Sequence, residues 1–348
     1  MPDIRMNDLD RQLRANKPSR VYFIYGSEAY LKRQAVEKLL GVCVQEETAG
    51  FNYQRFGAGQ IKAVELSDAT QQFPMMAERR CVLVEDYDFT KMTDGDVAAM
   101  ESCINALPDF CVLILWLNDI EASPKNSRVS KFAKLCSKVG STMLLDTPRA
   151  GELAAMLVER AGQIGAKLDR PEAYHLIERC GSDLTTLYSE LEKLSVYSGK
   201  KPITKETINL VCPPSLEADV FRISRSIIRG DHDEAFRITV SLLAQKNEPI
   251  EIFNLLCSDF IDLYRAKCAS AANMGVNELT KAFENDYARK EFRIKNAMRD
   301  QSSFSGARLR RYIELLFEAE LKLKTARTDR RACLEQLVAR LCAEGVRR

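Results

Sequence analysis

Residues 21–33, VYFIYGSEAYLKR, decide the fold class, because an apolar segment there runs into a glycine and then a helix-forming stretch. Val21–Tyr25 consists of β-branched and aromatic residues, which favour a strand. Gly26 and Lys32 have the spacing of the first glycine and the lysine in the phosphate-binding pattern G-x-x-x-x-G-K-[ST]. The stretch therefore predicts the strand, turn and helix that begin a nucleotide-binding α/β domain.

Two chemical elements of that pattern are missing. Leu31 replaces the second glycine, which lets backbone amides approach a phosphate, and Arg33 replaces the hydroxyl that holds Mg²⁺. In residues 181–185, where ATPases of the AAA+ type carry Gly-Asp-x-Arg, Thr185 replaces the arginine. We therefore expect an NTPase-like fold with a vestigial phosphate loop, no cofactor and no catalysis of its own. The alternative is an active AAA+ ATPase with a variant loop.

A second nucleotide-site element would be an apolar strand that ends in Asp-Glu, for magnesium binding and water activation. In Val82–Asp86 the two acids, Glu85 and Asp86, follow the strand in the reverse order. Acids are common after strands. The residues alone therefore favour a strand followed by a solvated turn over a magnesium site.

The composition is that of an ordinary globular protein. The 348 residues are 46% hydrophobic and 29% charged, with a formal net charge of +2, so no global attraction to nucleic acid is implied. The eleven cysteines form no C-x-x-C pair and there are only two histidines, so we expect reduced thiols, a cytoplasmic protein and no metal site. The N-terminus lacks a signal-peptide core, and the apolar run Cys111–Leu117 is too short to cross a membrane.

Strand and helix signals alternate over residues 1–146, which predicts an α/β domain with a mostly parallel sheet and helices on both faces. The predicted strands are Val21–Tyr25, Phe51–Phe56, Cys81–Glu85, Cys111–Leu117 and Thr142–Leu145. The predicted helices are Glu28–Gln45, Lys62–Gln72, Asp94–Ala106 and Val129–Lys138.

Strand signals nearly vanish after residue 146, and helical periodicity takes over. Pro213-Pro214 interrupts this periodicity, which predicts a small helical domain at 147–212 and a larger helical domain at 213–348 with a separate role such as assembly. The last predicted helix is long and carries apolar residues from Leu309 to Leu341. The fold class is thus an AAA+-like P-loop module followed by an all-α domain.

Phe73, Pro74, Met75 and Met76 form an apolar connector between a predicted helix and the next strand. Pro74 should end that helix, because the residue before a proline resists the α region. Large apolar side chains on a connector are costly unless they pack or bind something, and methionine suits an adaptable contact surface. The residues alone favour local packing onto the sheet over partner binding.

No catalytic arrangement is present in the sequence. There is no Gly-x-Ser-x-Gly elbow and no cluster of histidine and cysteine, and Cys333 and Cys342 are expected to act as small apolar residues. Basic clusters, interpreted as solvated helix faces, occur at Arg289-Lys290, Arg293, Lys295 and Arg308-Arg310-Arg311. Without interleaved aromatic residues they form no known nucleic-acid motif.

In this order the segments resemble the delta-subunit family of the bacterial DNA polymerase III clamp loader. The likeness covers nearly the whole chain. The segments that carry it are Val21–Leu31, Phe73–Arg80, Gly181–Leu184 with Glu190–Leu194, Val220-Phe221, Phe292–Lys295 and Glu320–Thr325.

The resemblance implies a subunit without ATPase activity in a five-subunit ring, beside ATPase subunits and delta prime, that acts on primed DNA during replication. It also implies that this subunit grips the sliding clamp, the beta subunit, and opens one clamp interface. The apolar connector would supply the grip, with Met75-Met76 where many relatives have Leu-Phe. On this view the protein is bacterial and cytoplasmic, associates with the nucleoid during replication and has no membrane partner. It would be classed with the DNA-directed DNA polymerases only as part of the holoenzyme.

Overall fold

The computed structural model of this protein describes residues 3–57, 61–87, 93–120, 126–287, 291–325 and 329–346. The chain divides into two compact units, Met1–Thr147 and Pro148–Arg348. None of the described helices is both long and apolar enough to cross a membrane.

The first unit alternates helices with strands. Its helices are α1 (Met6–Arg14), α2 (Ala29–Cys43), α3 (Ala49–Asn52), α4 (Ala63–Gln71), α5 (Asp94–Asn105) and α6 (Ser127–Val139). Its strands are β1 (Val21–Tyr25), β2 (Tyr53–Phe56), β3 (Arg80–Glu85), β4 (Cys111–Trp116) and β5 (Ser141–Leu144).

The five strands form a parallel sheet in the order β2-β3-β4-β1-β5. The strand β1 occupies the interior, and its Phe23 lies between Leu115 of β4 and Thr142 of β5. Every residue of β1 and β4 is buried, as expected for strands covered on both faces. The predictions of β1, β3, β4 and β5 are confirmed to within one residue at each end, and those of the helices α2, α4, α5 and α6 to within two.

The predicted strand Phe51–Phe56 is wrong at its start. Ala49–Asn52 form the short helix α3, and the strand begins at Tyr53. Two side-chain contacts hold this turn. The buried Asn52 side chain bonds to the backbone of Met75, and Arg80 Nη1 donates to the Phe51 carbonyl oxygen at 2.7 Å. Propensity alone could not reveal these long-range bonds.

Among its described residues the second unit contains helices joined by turns and loops, with an isolated bridge between Lys167 and Pro202. Its first helices are α7 (Ala150–Gln163), α8 (Arg170–Cys180), α9 (Leu184–Ser198) and α10 (Lys205–Val211). They are followed by α11 (Leu216–Arg229), α12 (His232–Ala244), α13 (Pro249–Ala271), α14 (Val276–Ala282), α15 (Glu284–Tyr287), α16 (Glu291–Asp300), α17 (Gly306–Thr325) and α18 (Arg330–Val346).

The long final helix that the sequence predicts consists of two helices, α17 and α18, which pack against each other. Leu309 and Tyr312 of the first share one buried core with Leu334 of the second. A single straight helix could not bring these residues together, whereas two packed helices bury both apolar faces. Cys333 and Cys342 lie in the same core, which confirms their expected role as small apolar residues.

The basic clusters are only partly solvated. Arg293 of α16 pairs with Asp262 of α13 at 2.6 Å, and Arg308 Nε donates to the Tyr312 hydroxyl at 2.9 Å. The prediction of solvated faces is therefore wrong for these two arginines, because they meet buried polar groups of the helical core. Lys295 and Arg310 are exposed, and Arg289-Lys290 lie outside the described residues.

Candidate functional site

The turn after β1 is packed closely against the backbone at the end of β5. Gly26 has φ +124°, and a Cβ atom there would lie 2.3 Å from the carbonyl oxygen of Leu145. Glycine is thus required for close approach of two backbone segments. Leu31, in place of the second loop glycine, is buried, and Arg33 is exposed.

The backbone amides that would cradle a phosphate are already bound within the chain. Ser27 N donates to Asp146 Oδ1 at 3.1 Å, and Glu28 N donates to the Leu145 carbonyl at 2.9 Å. At the start of α2, Tyr30 N donates to Glu28 Oε1 at 3.2 Å. Two carboxylates of the protein therefore occupy the positive end of the helix, where an anion would otherwise bind.

Lys32 is bound to the chain just beyond β4. Its ammonium group donates to the carbonyl oxygens of Leu117 and Asn118, at 2.6 Å and 2.9 Å, just beyond the end of β4. Burial lowers the pKa of Lys32, and the nearby charge of Asp86 opposes this effect. The lysine thus ties α2 to the neighbouring strand end, a structural role in place of a phosphate contact.

Asp86 is buried, so the expected solvated turn after β3 is wrong at this position. Its Oδ1 atom accepts from the backbone amides of Asn118, Asp119 and Ile120 at 2.8, 2.9 and 3.2 Å. A carboxylate oxygen that accepts three backbone amides is fixed in place. Asp86 therefore organises the loop after β4, while Glu85 pairs with Arg55 on the neighbouring strand.

The apolar connector lies between the end of α4 and the start of β3, and its large side chains are exposed. The exposed fractions are 78% for Phe73, 58% for Met75 and 94% for Met76, so local packing onto the sheet does not account for them. The ring of Phe73 lies beside the ring of Phe110, at a centroid distance of 4.9 Å. Three adjacent, exposed, large apolar side chains are unusual on a soluble protein unless they serve a contact.

The backbone beneath these side chains is fixed. The side chain of Asn52, only 3% exposed, bonds to both the amide and the carbonyl group of Met75. Arg80, also 3% exposed, donates to the carbonyl oxygens of Ala69 and Phe51 and to Gln54 Oε1. A single guanidinium thus joins α3, α4 and β2 on both sides of the connector.

Met76 has a left-handed backbone with φ 55°. A residue with a Cβ atom in this region costs about 1 kcal/mol or more. The side chain gains no packing that would offset the cost, since it is 94% exposed. Backbone strain combined with an exposed apolar side chain points to a role outside the folding of this domain.

Phe51 is a further exposed apolar residue, and the sequence analysis missed it because it placed Phe51 in a strand. Its side chain is 64% exposed, and it directly precedes Asn52, whose side chain bonds to Met75. In sequence the two positions are remote. No local sequence signal relates them, and the Asn52–Met75 contact reveals the link.

The parallel sheet, its strand order and the glycine turn after β1 define an AAA+-like module. The amides at its phosphate-loop position are hydrogen-bonded within the chain. Models of the family described as "DNA polymerase III, delta subunit" match residues 22–140, and those of its C-terminal domain match residues 217–341. A model described as a middle domain matches residues 149–210. The chain belongs to the delta-subunit family of the DNA polymerase III clamp loader.

The relatives support this assignment over the full length. DNA polymerase III subunit delta of Bacillus subtilis is 26% identical over 341 residues, which cover 96% of each chain. A probable subunit delta of Aquifex aeolicus is 22% identical and covers 79% of each chain. The solved structure of the Bacillus subtilis DNA clamp loader delta protein is similar, with a TM-score of 0.67 over 97% of this chain and 100% of that one, at 25% identity.

Proposed function

We propose that this clamp-loader subunit binds the sliding clamp through the apolar connector, Phe73–Met76. The observation that carries the proposal is the exposure of Phe73, Met75 and Met76 on a backbone that Asn52 holds in place. A few buried apolar anchors usually dominate a protein interface. A fixed backbone reduces the entropy lost when such anchors are buried.

The proposed consequence of binding is clamp opening. A closed clamp ring is held together by its subunit interfaces. A protein that binds the opened or strained ring more tightly than the closed ring shifts the equilibrium by the difference in affinity. No hydrolysis in this subunit is needed for that shift. ATP on neighbouring subunits would control access to the connector.

The proposed subunit does not use nucleotide. The amides of Ser27, Glu28 and Tyr30 are bound within the protein, and Lys32 is turned toward β4. To accept Mg-ATP the chain would have to break these bonds, with no hydroxyl at Arg33 to hold the metal. These contacts favour a binding subunit over the alternative of an active ATPase.

The remaining parts of the proposal concern assembly. We assign residues 1–146 to the degenerate AAA+-like domain, 147–212 to a helical lid and 213–348 to a collar that joins the other subunits, namely ATPase subunits and delta prime, in a five-subunit ring. The large apolar core of α11–α18 supports a self-standing collar. Primed DNA would be engaged by the complex, in the cytoplasm and in association with the nucleoid.

Capture of purified sliding clamp by the purified chain, without ATP, tests the central claim. The double variant Met75→Ser/Met76→Ser should bind the clamp tens- to hundreds-fold more weakly, since each factor of ten is about 1.4 kcal/mol. Its thermal stability should be retained. The matched control, Val196→Ser/Tyr197→Ser, changes two exposed apolar residues of the second unit and should bind normally.

Two results would contradict the proposal in different ways. A large loss of thermal stability in the Met75/Met76 double variant would mean that these side chains serve the core. A stable double variant that binds the clamp normally would place the contact elsewhere.

A chain that ends at residue 212 tests the collar. It should still bind the clamp but fail to join the other subunits in size-exclusion chromatography. Normal assembly of this shortened chain would show that the collar assignment is wrong.

A further inference from the structure

Three metal-ligating side chains meet inside the second unit, although they are far apart in sequence. Cys180 is the last residue of α8, Glu190 lies within α9, and Cys212 directly follows α10. One ligand atom from each lies within 4.8 Å of the others. The sequence predicts no metal site, because these residues follow none of the short ligand spacings.

All three side chains of this cluster are buried. The exposed fractions of Cys180, Glu190 and Cys212 are 7%, 9% and 1%. Arg179 Nε donates to the Cys212 carbonyl oxygen at 2.6 Å, which fixes the end of α8 against the end of α10. The Cys180 thiol donates to the Pro213 carbonyl oxygen at 3.8 Å, which holds its sulfur atom beside the residue that follows Cys212.

Glu190 carries an unsatisfied atom in this cluster. Its Oε1 atom pairs with Lys193 Nζ at 2.6 Å, whereas Oε2 is buried and has no hydrogen-bond partner among the described residues. A buried carboxylate oxygen without a partner is costly. A bound cation would satisfy Oε2 and both sulfur atoms together.

We propose that Cys180, Glu190 and Cys212 bind one zinc-type divalent cation. Thiolate sulfur and carboxylate oxygen are accepted zinc ligands, and water would complete a tetrahedral set. On binding, each thiol releases its proton to solvent. Two thiolates, one carboxylate, the Lys193 ammonium and a divalent cation then balance in charge.

The ion would cross-link three helices, α8, α9 and α10. Small domains bury too little apolar surface for high stability, and a structural metal is a common remedy. A disulfide between Cys180 and Cys212 would also cross-link the segment. It would leave Glu190 Oε2 without a partner, and the burial of both thiols limits the approach of an oxidant.

Titration of the reduced, chelator-treated full-length chain with Zn²⁺ tests the proposal. We expect one Zn²⁺ per chain with a Kd in the nanomolar range or tighter, a rise in Tm, and the visible bands of tetrahedral thiolate-bound Co²⁺ on cobalt substitution. Cys180→Ser and Cys212→Ser should each weaken binding by at least about 100-fold. Glu190→Gln preserves side-chain size and should weaken it by at least about tenfold. Cys268→Ser, at an exposed cysteine, is the matched control and should bind normally.

Three outcomes would overturn the proposal. One is a Kd for Zn²⁺ weaker than about 10 μM, far from the structural range. Another is tight binding that Cys180→Ser and Cys212→Ser leave unchanged, which would place the metal elsewhere. The third is a Cys180–Cys212 disulfide, identified by mass spectrometry of the chain isolated under thiol-blocking conditions. Circular dichroism of each variant separates loss of ligand from loss of fold.

Discussion

The side chain of Asn52 holds the backbone of Met75 from both sides. Asn52 Nδ2 donates to the Met75 carbonyl oxygen at 2.8 Å, and the Met75 amide donates to Asn52 Oδ1 at 2.7 Å. Asn52 itself is buried beside β2. The pair therefore joins an exposed apolar segment to the rigid sheet, as a strand pairing would.

Asn52→Ala should weaken clamp binding about tenfold, because Met75 loses its fixed backbone before binding. The free energy of unfolding should fall by about 1–3 kcal/mol, the usual cost of lost partners at a buried polar site. Calorimetry with purified clamp and urea denaturation measure the two effects. Gln72→Ala, at an exposed neighbour, is the control. Unchanged clamp affinity in Asn52→Ala would show that the Met75 backbone contact is not part of recognition.

Met76→Gly should have opposite effects on the fold and on the interface. Glycine relieves the left-handed strain at φ 55°, and the relief offsets its larger unfolded-state entropy, so stability should be unchanged or up to about 1 kcal/mol higher. Clamp affinity should fall, because an exposed apolar anchor is removed. Thermal unfolding and clamp titration give the two numbers. The control Met76→Leu keeps the apolar surface, and its affinity for the clamp should be within a fewfold of that of the original chain. Full clamp affinity in Met76→Gly would exclude Met76 as an anchor.

Phe51→Ser should weaken clamp binding severalfold while sparing stability, because the ring is 64% exposed and adjoins the residue that fixes Met75. Surface plasmon resonance against immobilised clamp measures the change. Phe317→Ser, at a 60% exposed phenylalanine of the second unit, controls for the loss of one exposed ring. Equal binding by both variants would confine the contact to the connector.

Lys32→Ala should lower stability without removing any nucleotide function. The change leaves the carbonyl oxygens of Leu117 and Asn118 without this donor, at a cost of about 1–3 kcal/mol for each group that water cannot reach. Calorimetry should detect no micromolar binding of Mg-ATP by the original chain, and no ATP turnover should be measurable. Turnover that Lys32→Ala abolishes would restore the alternative of an active ATPase.

Asp259 of α13 gives the second unit a distinctive pH dependence. Burial raises the pKa of its carboxyl group to about 7, against the hydrogen bond from Ser224 and the charge of Arg293, while the charges of Asp262 and Glu217 act with burial. Between the ordinary value of about 4 and 7 the folded chain keeps a proton that the unfolded chain releases, so this group's contribution to stability falls as pH rises.

Asp259→Asn removes that titration. The Tm of Asp259→Asn minus that of the original chain should therefore increase from pH 4 to pH 7 and then level off. Scanning calorimetry across this range measures the difference. A difference that does not change with pH would show that Asp259 is not protonated in the folded protein near neutrality.

Much of the fold follows from local pattern. The unbroken apolar runs of β1 and β4 predict strands buried on both faces, and they are buried. Leu31 and Arg33, which replace two residues of the phosphate-loop pattern after Gly26, predict an inactive loop. This prediction needs residue identity alone and no knowledge of the fold. Where the prediction of secondary structure failed, at Phe51 and between α17 and α18, the deciding contacts join residues far apart in the chain.

The sequence by itself determined the alternation of strands and helices, the replacement of two phosphate-loop residues by Leu31 and Arg33, and the apolar character of the connector, because period, composition and residue type are local properties. Only the tertiary structure decided that Lys32 and Asp86 are buried and bind backbone groups after β4. It also decided that the connector is exposed on a backbone held by Asn52. The meeting of Cys180, Glu190 and Cys212 is likewise a result of the fold. Those outcomes depend on which polar groups the fold brings close to one another. Hydrogen bonds and ligand bonds act only at such short range, and no pattern along the chain encodes it directly.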